Sequence, residues 1–97
     1  DSGTTAATVD QISDWTSSDT LDVSTLGTAY TELTSANYAA ALTDANASFS
    51  TTVKVVAVQV GTDVYVFLVG AGTAGTADDA ILLSNTTLAN IDYSNFS

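Results

Sequence analysis

The sequence predicts a small α+β domain: an antiparallel β-sheet built on a central hairpin, with one helix packed on a face. Two Val-rich runs, Val53–Val60 and residues 63–69, flank Gly61-Thr62. That two-residue connection suits a hairpin, because glycine accepts positive φ at the first central position. Between residues 35 and 50 the apolar period lengthens to helical spacing through Tyr38, Leu42, Ala45 and Phe49. A chain of 97 residues, 45% hydrophobic, has enough apolar side chain for one core and too little length for two domains.

Taken from the N-terminus, residues 1–8 are small and polar and read as a lead-in or linker end, leaving residues 9–97 as the single domain. From Asp10 the positions alternate, with Ile12 against Asp10 and Asp14, then Leu21 and Val23 against Asp22. The alternation predicts two short strands around a turn at residues 16–19, closed by Leu26-Gly27. Thr34 or Ser35 is placed to cap the helix of residues 35–50, by accepting a bond from a free backbone N–H, and its alanines are good helix formers. The hairpin register then pairs Val60 with Asp63, Val58 with Tyr65 and Val56 with Phe67 on one face. The other face pairs Gln59 with Val64, Ala57 with Val66 and Val55 with Leu68. Both faces are apolar, so cover is expected on both sides. Residues 70–77, with three glycines, read as a loop. A third strand over 79–84 and a short helical turn through Ile91, capped by Thr86 or Thr87, complete the chain before its closing residues 92–97. Trp15, Tyr30, Tyr38, Tyr65 and Phe67 are assigned to the core.

The charge excludes several functions. Eleven acids against one base, Lys54, and no His give a net charge of −10. Neither nucleic acid nor an anionic membrane surface would be neutralised by such a chain. The absence of Cys removes thiolate nucleophiles, thiolate metal sites and disulfides; the absence of His removes imidazole ligands and the usual proton carrier near neutrality. No arginine is present to clamp a phosphate. No apolar run approaches the ~18 residues of a membrane-spanning helix. Abundant Thr, Ala and Ser with almost no lysine resemble an extracellular bacterial composition. The chain is read as non-catalytic.

Asp10, Asp14, Asp19 and Asp22 are the candidate metal ligands. Calcium takes six to eight hard oxygens, and on a strand Asp10 and Asp14 would share a face. The competing reading is a solvated acidic face with Asp at turns. Asp78-Asp79 is a second candidate pair, or a pair of acids blunting a strand edge. The Gly70-Ala-Gly-Thr-Ala-Gly75 run lacks the lysine of a phosphate-binding loop. Acid pairs suited to glycoside hydrolysis have no aromatic sugar platform beside them. Three Asn-x-Ser/Thr triplets begin at Asn46, Asn85 and Asn95, a number expected by chance in a chain this rich in Ser and Thr.

Two stretches carry a resemblance. Val9-Asp-Gln-Ile-Ser-Asp-Trp-Thr-Ser-Ser-Asp-Thr-Leu-Asp-Val-Ser24 is similar to the D-x-I-x-D-F…D-x-L-D-L-S segment of the C-terminal module of RTX-type bacterial exoproteins, the bluetail variety of surface proteins. Val55-Val-Ala-Val-Gln-Val-Gly-Thr-Asp-Val-Tyr-Val-Phe67 resembles the AVQVG-x-D-x-YVF hairpin of that family. Gly75-Thr-Ala-Asp-Asp-Ala-Ile-Leu-Leu83 and the closing residues 88–96 follow in the family's order. Two departures stand out: Ala6-Ala-Thr-Val9 replaces a glycine-rich calcium turn, and Leu68-Val-Gly-Ala-Gly72 replaces an alternating acidic loop. The resemblance implies calcium-rich surroundings, type I secretion and a place outside the cell or on its surface. It also implies an upstream RTX domain as a partner. The expected function is a structural module that self-assembles into a surface layer or filament, as a homo-oligomer or polymer. The alternative is a secretion signal and folding cap of a larger calcium-dependent protease or adhesin.

Overall fold

A computed structural model describes residues 10–21, 27, 29–69, 77 and 79–96. Five strands, β1 (Asp10–Ile12), β2 (Ala29–Thr34), β3 (Val53–Val60), β4 (Asp63–Leu68) and β5 (Asp79–Leu83), form one sheet in the order β1-β5-β4-β3-β2. One helix, α1 (Tyr38–Ser48), crosses a face, so the α+β class is that expected from the sequence. The sheet is mixed. Its three central strands are antiparallel, whereas β1 runs parallel to β5 and β2 parallel to β3.

The hairpin forms in the expected register, from Val60 opposite Asp63 to Val55 opposite Leu68. Gly61 takes φ +61°, the conformation its turn requires. Both faces are covered. On one, Val56, Val58, Phe67 and Ala80 pack against Ala41, Ala45 and Phe49, with Tyr38 and Leu42 completing the helical stripe. On the other, Val55, Ala57, Val64, Val66 and Leu83 pack beneath Ile91 and Phe96, with Trp15, Leu21 and Tyr30 against them. Val55, Val56, Val58, Val64, Val66, Phe67 and Leu83 have no exposed surface. Each such side chain contributes ~1.5–3 kcal/mol of transfer free energy.

Strand β2 is absent from the sequence reading. Its six residues include a single aliphatic anchor, Leu33, and its pairing with β3 is non-local. Lys54 has no partner on β2: Ala29 lies opposite Val53 and Tyr30 opposite Val55. The extra residue puts Val53 on the helix side with Val56 and Val58, where strict alternation would send it across the sheet. Beside this bulge, Gly27 has φ +75°, and a Cβ there would collide with the Thr52 carbonyl oxygen and the Lys54 side chain.

The helix begins later than expected. Thr34 ends β2, and the Ser35 N–H donates to the Gln59 carbonyl, extending the strand ladder. Asn37 caps instead, its Oδ1 accepting from the Ala40 N–H at 2.9 Å. Phe49 leaves helical geometry at ψ 144° while its N–H still donates to the Ala45 carbonyl. At the N-terminus, the expected strand through Asp14 stops at Ile12. The turn of residues 16–19 forms, with the Asp19 N–H donating to the Thr16 carbonyl, and Leu21 makes a single parallel bridge to Phe96. The expected strand around Val23, the Leu26 boundary and the glycine loop before Ala77 lie outside the described residues, as does the lead-in. Thr87 precedes a 3-10 turn at Leu88–Asn90 without a side-chain cap, and a second follows at Tyr93–Asn95.

Candidate functional site

Two polar side chains organise the ends of the sheet. Gln59, the one amide in a strand of Val, Ala and Lys, donates through Nε2 to the carbonyls of Gly61, Asp63 and Thr86 at 2.9–3.1 Å, and its Oε1 accepts from the Leu88 N–H. It joins the hairpin turn to the first 3-10 turn. Asn95 is buried at 6% exposure and satisfied at every polar atom. Its Oδ1 accepts from the Asp92 N–H, and its Nδ2 donates to the carbonyls of Ser17 and Asp19. The Trp15 Nε1–H donates to the Asn90 carbonyl at 3.0 Å. These bonds lay the N-terminal acidic segment against the closing turns.

The candidate ligands sit on that segment. Asp10 is exposed on β1 opposite Ile81, and Asp14 is exposed in the bend beyond the strand, so the two do not share a strand face. Asp19 is committed to its own turn, accepting from the Thr16 N–H at 2.9 Å. Among the described residues, no three acids come together as a metal-holding group. Asp22 and Asp78 lie outside the described residues. Asp79 is half-buried on β5 opposite Leu68.

The outer edges of the sheet have no paired strand among the described residues. On β2, the Ala29 and Ser35 N–H groups donate toward the β3 side. By alternation, Thr31 and Leu33 do likewise, while the N–H and C=O groups of Tyr30, Glu32 and Thr34 face outward. The Glu32 carboxylate is exposed at the centre of this edge and accepts from the Tyr30 hydroxyl at 3.0 Å. Burial, followed by the charge of Glu32 and the bond to it, pushes the Tyr30 hydroxyl well above its ordinary value. Tyr30 packs on Phe96 and Tyr93 at ring separations of 5.4 and 6.5 Å. Tyr93 is 38% exposed and donates through its hydroxyl to the Gly27 carbonyl. Asp92 accepts from the side chain and backbone of Ser94, which hold its carboxyl below the usual range.

Trp15, Tyr30, Tyr38, Tyr65 and Phe67 all pack against one core layer or the other. Sequence reasoning missed the β2 edge and the two organising amides. A lone Gln inside a Val-rich run was the available signal for one; Asn95 carried none. Among the described residues, no helix is long and apolar enough to cross a membrane. No family model, curated protein or solved structure matches this chain.

Proposed function

We propose that this chain is an extracellular, non-catalytic structural module that assembles into a surface layer or filament by joining sheet edges. The observation that carries the proposal is the outward row of backbone groups at Tyr30, Glu32 and Thr34 on β2. Such a row is a template for another strand. The opposite edge, β1, runs in the same direction as β2, because both follow strands antiparallel to β4. A copy translated across the sheet therefore sets its β1 beside the β2 of its neighbour as a parallel pair. That contact is heterologous and does not close, which gives a fibre. The resemblance to RTX surface modules supports the extracellular setting and secretion by the type I route.

Each edge carries an acid, Asp10 on β1 and Glu32 on β2. Their repulsion opposes joining until salt shortens the Debye length below about 8 Å or calcium acts as a counterion between them. Light scattering and negative-stain microscopy across a salt and calcium series test the proposal. Growth of ordered polymers with rising ionic strength is expected. A monomer-sized species throughout would overturn it. The second reading, a secretion signal and folding cap, draws support from the closing turns packed over one sheet face, which would seal the end of a preceding domain.

A further inference from the structure

We propose that the joint between copies has one register, with Gln11 of β1 seated opposite Thr31 on the β2 strand of the next copy. The inference deepens the edge-joining reading above and rests on it.

The backbone decides which residues can meet. On β1 the Ile12 carbonyl accepts from the Ser84 N–H, so Ile12 and, two residues back, Asp10 turn their backbone groups to β5. Gln11 alone of this strand then offers its N–H and C=O to the outside. An outward residue in a parallel ladder sits opposite a residue that faces away from it, and bonds that residue's two chain neighbours. On β2 the residues turned toward β3 are Ala29, Thr31 and Leu33, so Gln11 has three seats. All three preserve the faces of a continuous sheet. Ile12 belongs to the layer under Ile91 and Phe96, which leaves Gln11 on the helix side with Leu33.

Charge and geometry separate the seats. Opposite Leu33, Gln11 would bring Asp10 directly opposite Glu32 on the same face, and like charges so placed are destabilising. Opposite Ala29, its N–H would have its acceptor ahead of the strand, beside the register shift between Ala29 and Tyr30. Opposite Thr31, both bonds fall within β2: the Gln11 N–H donates to the Tyr30 carbonyl, and the Glu32 N–H donates to the Gln11 carbonyl. Asp10 then lies beside Tyr30 and Ile12 beside Glu32. The two acids are offset by two residues, roughly 8 Å between Cα atoms at ordinary strand spacings. Their remaining repulsion is what salt has to screen.

The chain has no cysteine, and within one copy β1 and β2 are the outermost strands of five. Four strand spacings, about 19 Å, put them beyond the reach of a disulfide, so a cross-link between them joins two copies. Three double variants combine Gln11→Cys with Ala29→Cys, Thr31→Cys or Leu33→Cys. Each is checked for folding by circular dichroism, polymerised in high salt under light scattering, and oxidised. The expected result is a non-reducing ladder of chain multiples from the Thr31→Cys combination and a far weaker one from the other two, with peptide mapping that joins position 11 to position 31. The unmodified chain gives a second reading. On polymerisation, hydrogen exchange should slow at the Gln11 and Glu32 amides and stay unchanged at Thr34. In polymers, a dominant ladder from either other combination, a disulfide between two copies of position 31, slowed exchange at Thr34 or unchanged exchange at Glu32 would overturn the register and leave assembly standing. Failure of the unmodified chain to polymerise would overturn both.

Discussion

Asn95 holds Asp19 through its backbone: the Asn95 Nδ2 donates to the Asp19 carbonyl at 2.8 Å, across 76 residues of chain. The same nitrogen holds Ser17, so one buried amide anchors the acidic turn to the closing 3-10 turn. The Asp19 carboxylate is left to bond its own turn at Thr16.

Replacing Asn95 should therefore loosen both ends of the chain together. Asn95→Ala leaves two carbonyls and the Asp92 N–H without partners, at a cost of about 1–3 kcal/mol each when they stay buried. Asn95→Asp is expected to be as damaging, because it sets an acceptor against two carbonyl oxygens. Urea titration, with Trp15 fluorescence reporting the N-terminal segment, measures both; wild-type midpoints would contradict the clamp.

Phe67→Asp is expected to prevent folding. The ring has no exposed surface and stacks among Tyr38 and Tyr65, so the change buries an unpaired charge at the sheet–helix interface. Phe67→Ala should fold with a loss of about 3–5 kcal/mol. Circular dichroism with thermal melting separates the outcomes, and a cooperative transition in the Asp variant would contradict the packing.

Alkali should destabilise the fold through its tyrosines. The Tyr30 hydroxyl is raised from 10.0 by burial and by Glu32, and burial also raises Tyr38 and Tyr65. Above pH 10 the unfolded chain loses these protons while the folded chain retains them, so the stabilising contribution is complete below that pH and falls as pH rises. Tyr30→Phe should flatten the decline between pH 9.5 and pH 11.5, about the range in which an ordinary tyrosine titrates. An unchanged slope in urea titrations would show that Tyr30 does not contribute.

Two substitutions at Glu32 separate charge from backbone in edge joining. Both Glu32→Gln and Glu32→Pro remove the carboxylate, but only proline removes the outward N–H, and an edge position tolerates that loss. Light scattering should show polymers at lower salt for the Gln variant and weakened or absent growth for the Pro variant. Equal growth of both would assign any assembly to another surface.

The legible parts of the fold were those set by local chemistry. A two-residue Gly61-Thr62 turn leaves the hairpin little choice of register, and the Tyr38, Leu42, Ala45 and Phe49 spacing describes a helix face without reference to the rest of the chain. What sequence reading missed depends on distant partners. Ala29–Thr34 becomes a strand because β3 offers it a ladder, and Asn37 displaces Ser35 as the cap because that ladder continues through Ser35. The acidic residues were readable as charges, whereas the separation of Asp10, Asp14 and Asp19 depends on where β1 ends.

The parallel pairing of both outer strands has a kinetic consequence. Only the hairpin and its neighbour β5 can form by short-range search; β1 must find Ile81, Leu82 and Leu83 across nearly three quarters of the chain's length. Loop closure over such distances is an entropic cost met before its contacts form, and topologies of this kind fold on the order of milliseconds to seconds. The N-terminal strand is expected to dock late, with closure of the Asn95 clamp. Until then β5 presents a bare edge to the solution, and a nascent copy is vulnerable to mispairing through a strand that the finished domain conceals.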